Sequence, residues 1–167
     1  MSPDAYDSLP RVRRARHGDA ERIAEVFLAA RGRMTYLPRL HTDEETREWI
    51  SGVVVPHHDV WVAEADGRVA GFAALNGHWL EHLYVAPEAQ GRGLGTALLA
   101  QVRKARPDLL ELYVFQQNTG ARRFYERHGF TLVALGDGGD NEERLPDALY
   151  RRRAAGQAAE PGSSGAM

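Results

Sequence analysis

Cysteine is absent from this chain of 167 residues. That absence excludes disulfides, Cys-ligated zinc, iron–sulfur clusters and a cysteine nucleophile. Long hydrophobic runs are also missing, since no apolar segment approaches the ~18 residues that a membrane span needs. The first residues, Met1–Asp4, lack the cationic and then apolar regions of a signal peptide. We therefore expect a cytoplasmic protein with no membrane partner.

An excess of charge of either sign is missing too. The chain has 21 Lys and Arg residues against 23 Asp and Glu residues, for a net charge of -2. Nucleic-acid binders usually show a basic excess, so no nucleic-acid partner is expected. The length suits one globular domain, which we place at residues 11–153. Residues 1–10 are predicted to form a flexible arm and residues 154–167 a disordered tail of small residues.

Hydrophobic periodicity predicts a strand, two helices and then an antiparallel meander. Weak alternation in Arg11–Arg16 indicates the first strand, and helical spacing indicates a helix from Ala20 to Arg31. A second helix starts near Thr42, which forms a capping-box pattern with Glu45. The period then becomes that of strands separated by two-residue turns. The predicted strands are 60–65, 68–75 and 79–86, joined by Asp66-Gly67 and Asn76-Gly77.

The second half of the chain alternates helices and strands. A helix follows the glycines after residue 90 and stops before Pro107, because proline disfavours a helical residue in front of it. Leu109–Phe115 is apolar at nearly every position, which predicts a strand covered on both faces. Asn118 is the predicted N-cap of the next helix, which ends at Gly129. Two closing strands are predicted on either side of a polar loop, at residues 130–135 and 148–152.

Three glycines, Gly91, Gly93 and Gly95, lie between a predicted strand and a predicted helix. Such a loop leaves backbone N–H groups unshielded at a helix N-terminus, which favours an anion such as a diphosphate. A turn without a ligand needs only one glycine. The segment has no lysine for a Walker A loop, and Thr96 stands where the third glycine of a dinucleotide fingerprint belongs. The preceding strands are also joined by hairpins, which argues against a dinucleotide fold.

Two motifs resemble one known family. The segment Val85-x4-Gln90-Gly91-Arg92-Gly93-Leu94-Gly95 resembles the Q/R-x-x-G-x-G/A acyl-CoA signature of the GCN5-related N-acetyltransferases. The segment Asn118–Phe130 is similar to that family's second stretch, N-x-x-A-x-x-F-Y-x-x-x-G-F. The resemblance implies a single α/β (α+β) domain. Its central sheet is mixed and mostly antiparallel, with a V-shaped splay between strands 4 and 5 and helices on both faces.

The resemblance also implies acetyl-CoA as co-substrate and no metal. In the family the pantetheine arm lies in the gap between strands 4 and 5, and the pyrophosphate lies on the amides of the glycine loop. Carried over by motif position, the implied cofactor-binding residues are Leu83, Tyr84, Val85, Gln90, Gly91, Arg92, Gly93, Leu94, Gly95, Thr96, Asn118, Arg122 and Tyr125.

Catalysis is assigned first to Tyr125, which occupies the position of the family tyrosine that protonates the departing thiolate. A phenol of reference pKa ~10 can donate a proton to a thiolate of similar basicity. The alternative interpretation of Tyr125 is an aromatic residue of the core. An attacking amine needs a base or a water chain, and Glu81 and His82 lie beside the thioester position. Because successive strand residues face opposite sides, only one reaches the cleft unless a bulge intervenes. Glu81 is preferred, with Tyr113 and Glu111 as lesser candidates.

The acceptor site is expected between the first two helices, their connection and the loop before the last strand. Its predicted residues are Tyr36, His41 and Glu142, a mixture that suits an amine on a small molecule or on a peptide or protein. Alternatives are a non-catalytic acyl-CoA-binding module, a nucleotide-diphosphate protein and a protein-modifying acetyltransferase. A homodimer is left open. The adjacent His57 and His58 point apart, so no metal site is predicted there.

Overall fold

A computed structural model describes residues 10–154, so the predicted arm and tail lie outside the described residues except at their inner ends. The strands are β1 (Arg11–Arg14), β2 (Asp59–Ala65), β3 (Arg68–Asn76), β4 (Trp79–Val85), β5 (Leu109–Phe115), β6 (Thr131–Gly136) and β7 (Asp147–Arg153). The helices are α1 (Ala20–Gly32), α2 (Asp43–Trp49), α3 (Leu94–Ala105) and α4 (Thr119–Arg127). Short 3-10 turns occupy His17–Asp19 and Pro87–Ala89, and α2 continues through a π-helical turn (Ile50–Val54) into Val55–His57.

The seven strands form one mixed sheet in the order β1-β2-β3-β4-β5-β7-β6. Every neighbouring pair is antiparallel except β4 and β5, which are parallel. A single residue pair, Trp79 with Glu111, joins β4 to β5. The two strands therefore diverge beyond this pair, and the predicted splay is confirmed.

Helices cover both faces of the sheet. Phe27 of α1 packs edge-on against Tyr84 of β4 at a centroid distance of 5.2 Å. A Cβ at Gly71 of β3 would lie 3.2 Å from Leu98 of α3 and 3.4 Å from Val85 of β4. Tyr84 and Val85 are consecutive and face opposite sides of the strand. Helices α1 and α3 therefore lie on opposite faces, as the family resemblance implied.

Both predicted helix caps are present. The Thr42 hydroxyl accepts a hydrogen bond from the Glu45 amide at 3.1 Å, and the Glu45 carboxylate accepts one from the Thr42 amide at 2.9 Å. The Asn118 side-chain oxygen accepts from the Ala121 amide at 3.1 Å. These bonds satisfy N–H groups that the first turn of a helix leaves without partners.

The first predicted hairpin turn is confirmed and the second is shifted by one residue. Asp66 and Gly67 both take positive φ values, 56° and 78°, as a type I′ turn requires. In the second hairpin, Asn76 still pairs with Trp79, so the turn residues are those between them. Gly77, the first residue of this turn, has a φ of 61°, in the left-handed region that favours glycine.

The prediction that β5 is covered on both faces holds for six of its seven residues, which are buried or half-buried, and fails at Tyr113. Tyr113 is 60% exposed, because β4 leaves β5 at the splay and opens a cleft on that side. Its ring stacks on Trp79 at 5.4 Å. Glu111, in contrast, is 8% exposed and accepts hydrogen bonds from Arg151 at 2.9 Å and from His78 at 2.9 Å. A polar cluster therefore lies where an apolar strand was expected.

Among residues 10–154, no helix is both long enough and apolar enough to cross a membrane.

Candidate active site

The glycine loop presents bare backbone at the start of α3. Gly91 and Gly93 take φ values of 79° and 84°, in the left-handed region that favours glycine. A Cβ at either position would meet nothing within 4 Å, so there is open space on that side of the loop. Helix α3 begins at Leu94 without a side-chain cap. Its first N–H groups and the helix dipole are therefore available to an anion.

Side chains of this loop hold the loop itself. The Arg92 guanidinium donates to both carboxylate oxygens of Asp66, at 2.7 and 3.2 Å. The Gln90 amide donates to the Val85 carbonyl at 3.2 Å. Both side chains were predicted to bind the cofactor, and both have partners within the domain. Contacts between this loop and a ligand would therefore come mainly from its backbone.

A cavity of about 810 Å³ runs from the loop into the splay between β4 and β5. Seven of the predicted cofactor residues line it, namely Leu83, Tyr84, Val85, Gln90, Gly95, Asn118 and Tyr125. Beyond Trp79, no residue of β4 pairs with β5, so the edge of β4 is open to a strand-like ligand. We call this cavity the cofactor cleft.

Arg122 does not line the cofactor cleft. Its guanidinium donates to the Tyr150 hydroxyl at 3.0 Å and to the Gln116 carbonyl at 3.4 Å. The structure thus gives Arg122 a role in joining α4 to β7 and to the segment after β5. The sequence motif carries no information on this contact, because Tyr150 lies far away along the chain.

Tyr125 of α4 is buried and lines the cofactor cleft. Its ring packs edge-on against Phe124 at 5.2 Å and Phe130 at 5.4 Å. Burial first, and the neighbouring Tyr84 second, raise the pKa of the Tyr125 phenol well above its usual value. No hydrogen bond contributes to this shift. The phenol is therefore protonated at neutral pH, with its O–H available as a donor.

Glu81 and His82 both line the cofactor cleft, because β4 bulges at this point. His82 pairs with Ala74 and Leu80 with Leu75, which leaves Glu81 as the extra residue. A bulge re-aims side chains and breaks the two-residue alternation. The exception made for a bulge in the sequence analysis therefore applies, and both side chains line the cleft.

His82 is enclosed by aromatic side chains. Its ring lies 5.8 Å from Phe27, 5.2 Å from Trp49 and 6.2 Å from Tyr84. Burial first, then the positive charges of His58 and Arg31, lower the pKa of His82 to about 4. The imidazole is therefore neutral at pH 7. Glu81, in contrast, is an exposed side chain.

A second cavity, of about 980 Å³, lies between α1, α2, their connection and the loop before β7. We call it the acceptor cavity. It shares four lining residues with the cofactor cleft, namely Arg31, Met34, His82 and Glu143. The two cavities therefore meet beside the His82 imidazole.

Two of the three predicted acceptor residues meet at the acceptor cavity. His41 and Glu142 line it and contact each other through the imidazole Nε2 and the carboxylate. Tyr36 instead lines the cofactor cleft, where its ring packs against Phe115 at 6.1 Å. The Tyr36 hydroxyl is buried without a hydrogen-bond partner, and burial raises its pKa.

Arg31 is a site residue that sequence reasoning missed. Its guanidinium donates to Glu143 at 3.1 Å and to the Tyr84 hydroxyl at 3.4 Å, at the junction of the two cavities. A signal was present, because Arg31 follows Phe27 by four residues and shares its face of α1. In the described part of the chain, no group of three or more His, Asp or Glu side chains is arranged to hold a metal ion.

Comparison with known proteins gives the same picture. A family model described as an acetyltransferase (GNAT) domain matches residues 56–132. Peptidyl-lysine N-acetyltransferase YiaC of Escherichia coli is 42% identical over 74 residues, which span 44% of this chain and 50% of YiaC. Peptidyl-lysine N-acetyltransferase YjaB of Salmonella typhimurium is 28% identical over 81% of this chain and 92% of YjaB.

Two solved structures share the fold. The apo form of Escherichia coli YjaB superimposes with a TM-score of 0.71 at 23% identity, covering 88% of this chain and 99% of YjaB. YncA of Salmonella typhimurium, solved with its cofactor acetyl-CoA, gives 0.67 at 24% identity and covers 92% and 98%. These likenesses show a shared fold, an α/β domain with a splayed mixed sheet and a glycine loop at the start of a helix. The chain is therefore similar to GCN5-related N-acetyltransferases (GNAT), whose domain model matches the part of it from residue 56 to residue 132.

Proposed function

We propose that this protein is an acetyl-CoA-dependent N-acetyltransferase that moves an acetyl group directly onto a primary amine of a small molecule or a peptide. The observation that carries the proposal is the junction of two cavities at the splay. One cavity begins at an uncapped glycine loop, the other has an acidic and aromatic lining, and both reach His82. The two relatives named as peptidyl-lysine acetyltransferases support the same class of reaction.

The residues present fit acetyl-CoA. The amides from Gly91 to Thr96 would hold the diphosphate, since a Cβ at either left-handed glycine would project into open space that a phosphate can occupy. The open edge of β4 at Leu83 and Val85 would hold the pantetheine arm. When bound, acetyl-CoA supplies an activated acetyl group as a thioester. The chain has no cysteine that could form an acetyl-cysteine, and the transfer that we propose is direct attack of the amine on the thioester.

Tyr125 would donate its proton to the sulfur that leaves. Burial raises the pKa of the phenol, which weakens it as an acid. The same burial would raise the basicity of a thiolate that forms beside it, so the two groups would stay matched for proton transfer. His82 would take up the proton that the amine loses, because it borders both cavities. Its lowered pKa makes it a weak base, so the proton would pass on to water and not stay on the imidazole. Glu81 is the alternative base. It lines only the cofactor cleft, so the acceptor amine meets His82 first.

The test is release of CoA thiol from acetyl-CoA with a panel of amines. Tyr125→Phe is expected to lower kcat by about 100-fold, the lower end of what general acid–base catalysis contributes, with the Kd for acetyl-CoA unchanged. Tyr150→Phe removes a phenol that bonds Glu126 and Arg122 outside the cleft, and should keep kcat. Unchanged kcat in Tyr125→Phe would refute the acid role.

Two further measurements separate the alternatives. His82→Asn should lower kcat more than Glu81→Gln does, and the reverse order would move the base to Glu81. Acetyl-CoA binding without thiol release for any amine would indicate a non-catalytic module. Competition by NAD or ATP at the CoA site would indicate a nucleotide protein. We place the protein in the cytoplasm because its proposed co-substrate is found there.

A further inference from the structure

Three exposed apolar side chains line the acceptor cavity. Leu40 is 46% exposed, Trp49 37% and Val53 44%, and all three line this cavity. They come from the α1–α2 connection, the end of α2 and the π-helical turn that follows it. Exposed apolar side chains grouped at one place mark an interaction site. We call these three residues the apolar rim.

The apolar rim is continuous with the junction of the two cavities. Trp49 packs edge-on against His82 at 5.2 Å and against Phe27 at 5.7 Å, so one indole links the junction to the surface. An extended peptide advances about 3.3 Å per residue. Residues one or two positions from a bound lysine lie about 3–7 Å along the peptide, a spacing similar to the 5.2 Å between the Trp49 and His82 rings.

The acceptor cavity also favours a cation. Its lining contains five carboxylates against two guanidinium groups, and these two pair with Glu143 and Asp43, which leaves three carboxylates in excess. The carboxylates are Asp43, Glu45, Glu48, Glu142 and Glu143, and the guanidinium groups are Arg31 and Arg39. A protonated amine is attracted into such a lining. A small amine deep in a cavity of about 980 Å³ would leave the rim uncovered.

We propose that the acceptor is a lysine in a flexible peptide segment, with a large apolar residue one or two positions away that packs on the apolar rim. This inference rests on the proposed N-acetyltransferase function. The lysine side chain passes between the carboxylates to His82, while the neighbouring apolar residue covers Leu40, Trp49 and Val53.

The test compares two blocked peptides, Gly-Leu-Lys-Leu-Gly and Gly-Ser-Lys-Ser-Gly, with n-butylamine as a small acceptor. The Leu peptide should show a kcat/KM about tenfold higher than the Ser peptide, which corresponds to partial burial of one leucine. The double variant Leu40→Ser with Val53→Ser should reduce this ratio to about one, with the KM for acetyl-CoA unchanged. Both residues are nearly half exposed, so the fold should tolerate the change.

Leu135→Ser is the matched control, because Leu135 on β6 is 59% exposed and does not line either cavity. It should keep the tenfold ratio. Equal kcat/KM for the two peptides, or a higher value for n-butylamine, would overturn the inference while leaving the acetyltransferase function intact. No thiol release with any of the three amines would overturn the proposed function and this inference with it.

Discussion

Replacing Glu111 with glutamine tests the polar cluster at the base of the splay. The Glu111 side chain is 11% exposed and accepts bonds from Arg151 at 2.9 and 3.1 Å and from His78 at 2.9 Å. Its backbone amide also donates to the His78 carbonyl at 3.1 Å. Glutamine keeps the volume and the backbone bond but removes the charge that both partners face.

The expected loss of stability follows from the exposure of the partners. Breaking a buried ion pair costs about 3–5 kcal/mol when the remaining charge stays buried. Arg151 and His78 have side chains that are 32% and 38% exposed, so water can solvate them in the variant. We therefore expect Glu111→Gln to lower the free energy of unfolding by about 2–3 kcal/mol, roughly 5–10 °C in Tm for a domain of this size.

Urea denaturation followed by tryptophan fluorescence measures this loss as a shift in midpoint at constant slope. The control is Glu25→Gln, since Glu25 is 47% exposed and pairs with Arg22 on the surface of α1. Such surface pairs contribute about 0.5 kcal/mol or less. A loss below about 1 kcal/mol in Glu111→Gln would refute the view that this carboxylate stabilises the joint between β4 and β5.

Three further predictions concern pH and the glycine loop. The folded pKa of His82, about 4, lies below the ordinary value of 6.5. As the pH falls, His82 is protonated in the unfolded chain before it is protonated in the folded protein. The contribution of His82 to the free energy of unfolding is therefore full above pH 6.5 and decreases towards pH 4, by at most ~3 kcal/mol. His82→Phe should flatten this dependence in urea titrations at pH 7 and 4.5, and an unchanged slope would contradict it. The hydrogen bond from Arg13 holds the pKa of Asp19 below 3.8. The Asp19 carboxylate therefore stabilises the fold above pH 3.8, and this effect is lost as the pH falls through the lower pKa of the folded protein. Asp19→Asn should lower the free energy of unfolding by about 1 kcal/mol at pH 7 and leave it unchanged in strong acid. Gly93→Ala forces a side chain into a left-handed φ of 84° at a cost of about 1–2 kcal/mol, and acetyl-CoA affinity by calorimetry should drop about tenfold. Gly52→Ala, with open space and no positive φ, should leave affinity unchanged.

Features set by neighbours in sequence were predictable. The capping box at Thr42, the N-cap at Asn118 and the turn at Asp66 depend on residues no more than three positions apart. The same holds for the left-handed glycines at the start of α3. Because each of these motifs satisfies its own backbone groups, its sequence pattern is sufficient to indicate it. The resemblance to the GCN5-related N-acetyltransferases also rests on two such local motifs.

Contacts between distant segments were decided only by the tertiary structure. Glu111 is buried where β5 pairs with Trp79 and contacts Arg151 and His78, and Tyr113 is exposed beyond that pair, where β4 diverges. Neither outcome follows from the apolar pattern of β5. The bulge at Glu81 brings two consecutive side chains into one cleft, although alternation predicts opposite faces.

The absence of cysteine, the single domain and the glycine loop were determined by the sequence alone, since each is a property of composition or of adjacent residues. The meeting of His41 with Glu142, and of Arg31 with Glu143, joins residues about a hundred positions apart. Such meetings depend on how the helices and the loop before β7 close over the sheet. No local pattern encodes that closure, so only the tertiary structure places the acceptor cavity beside His82.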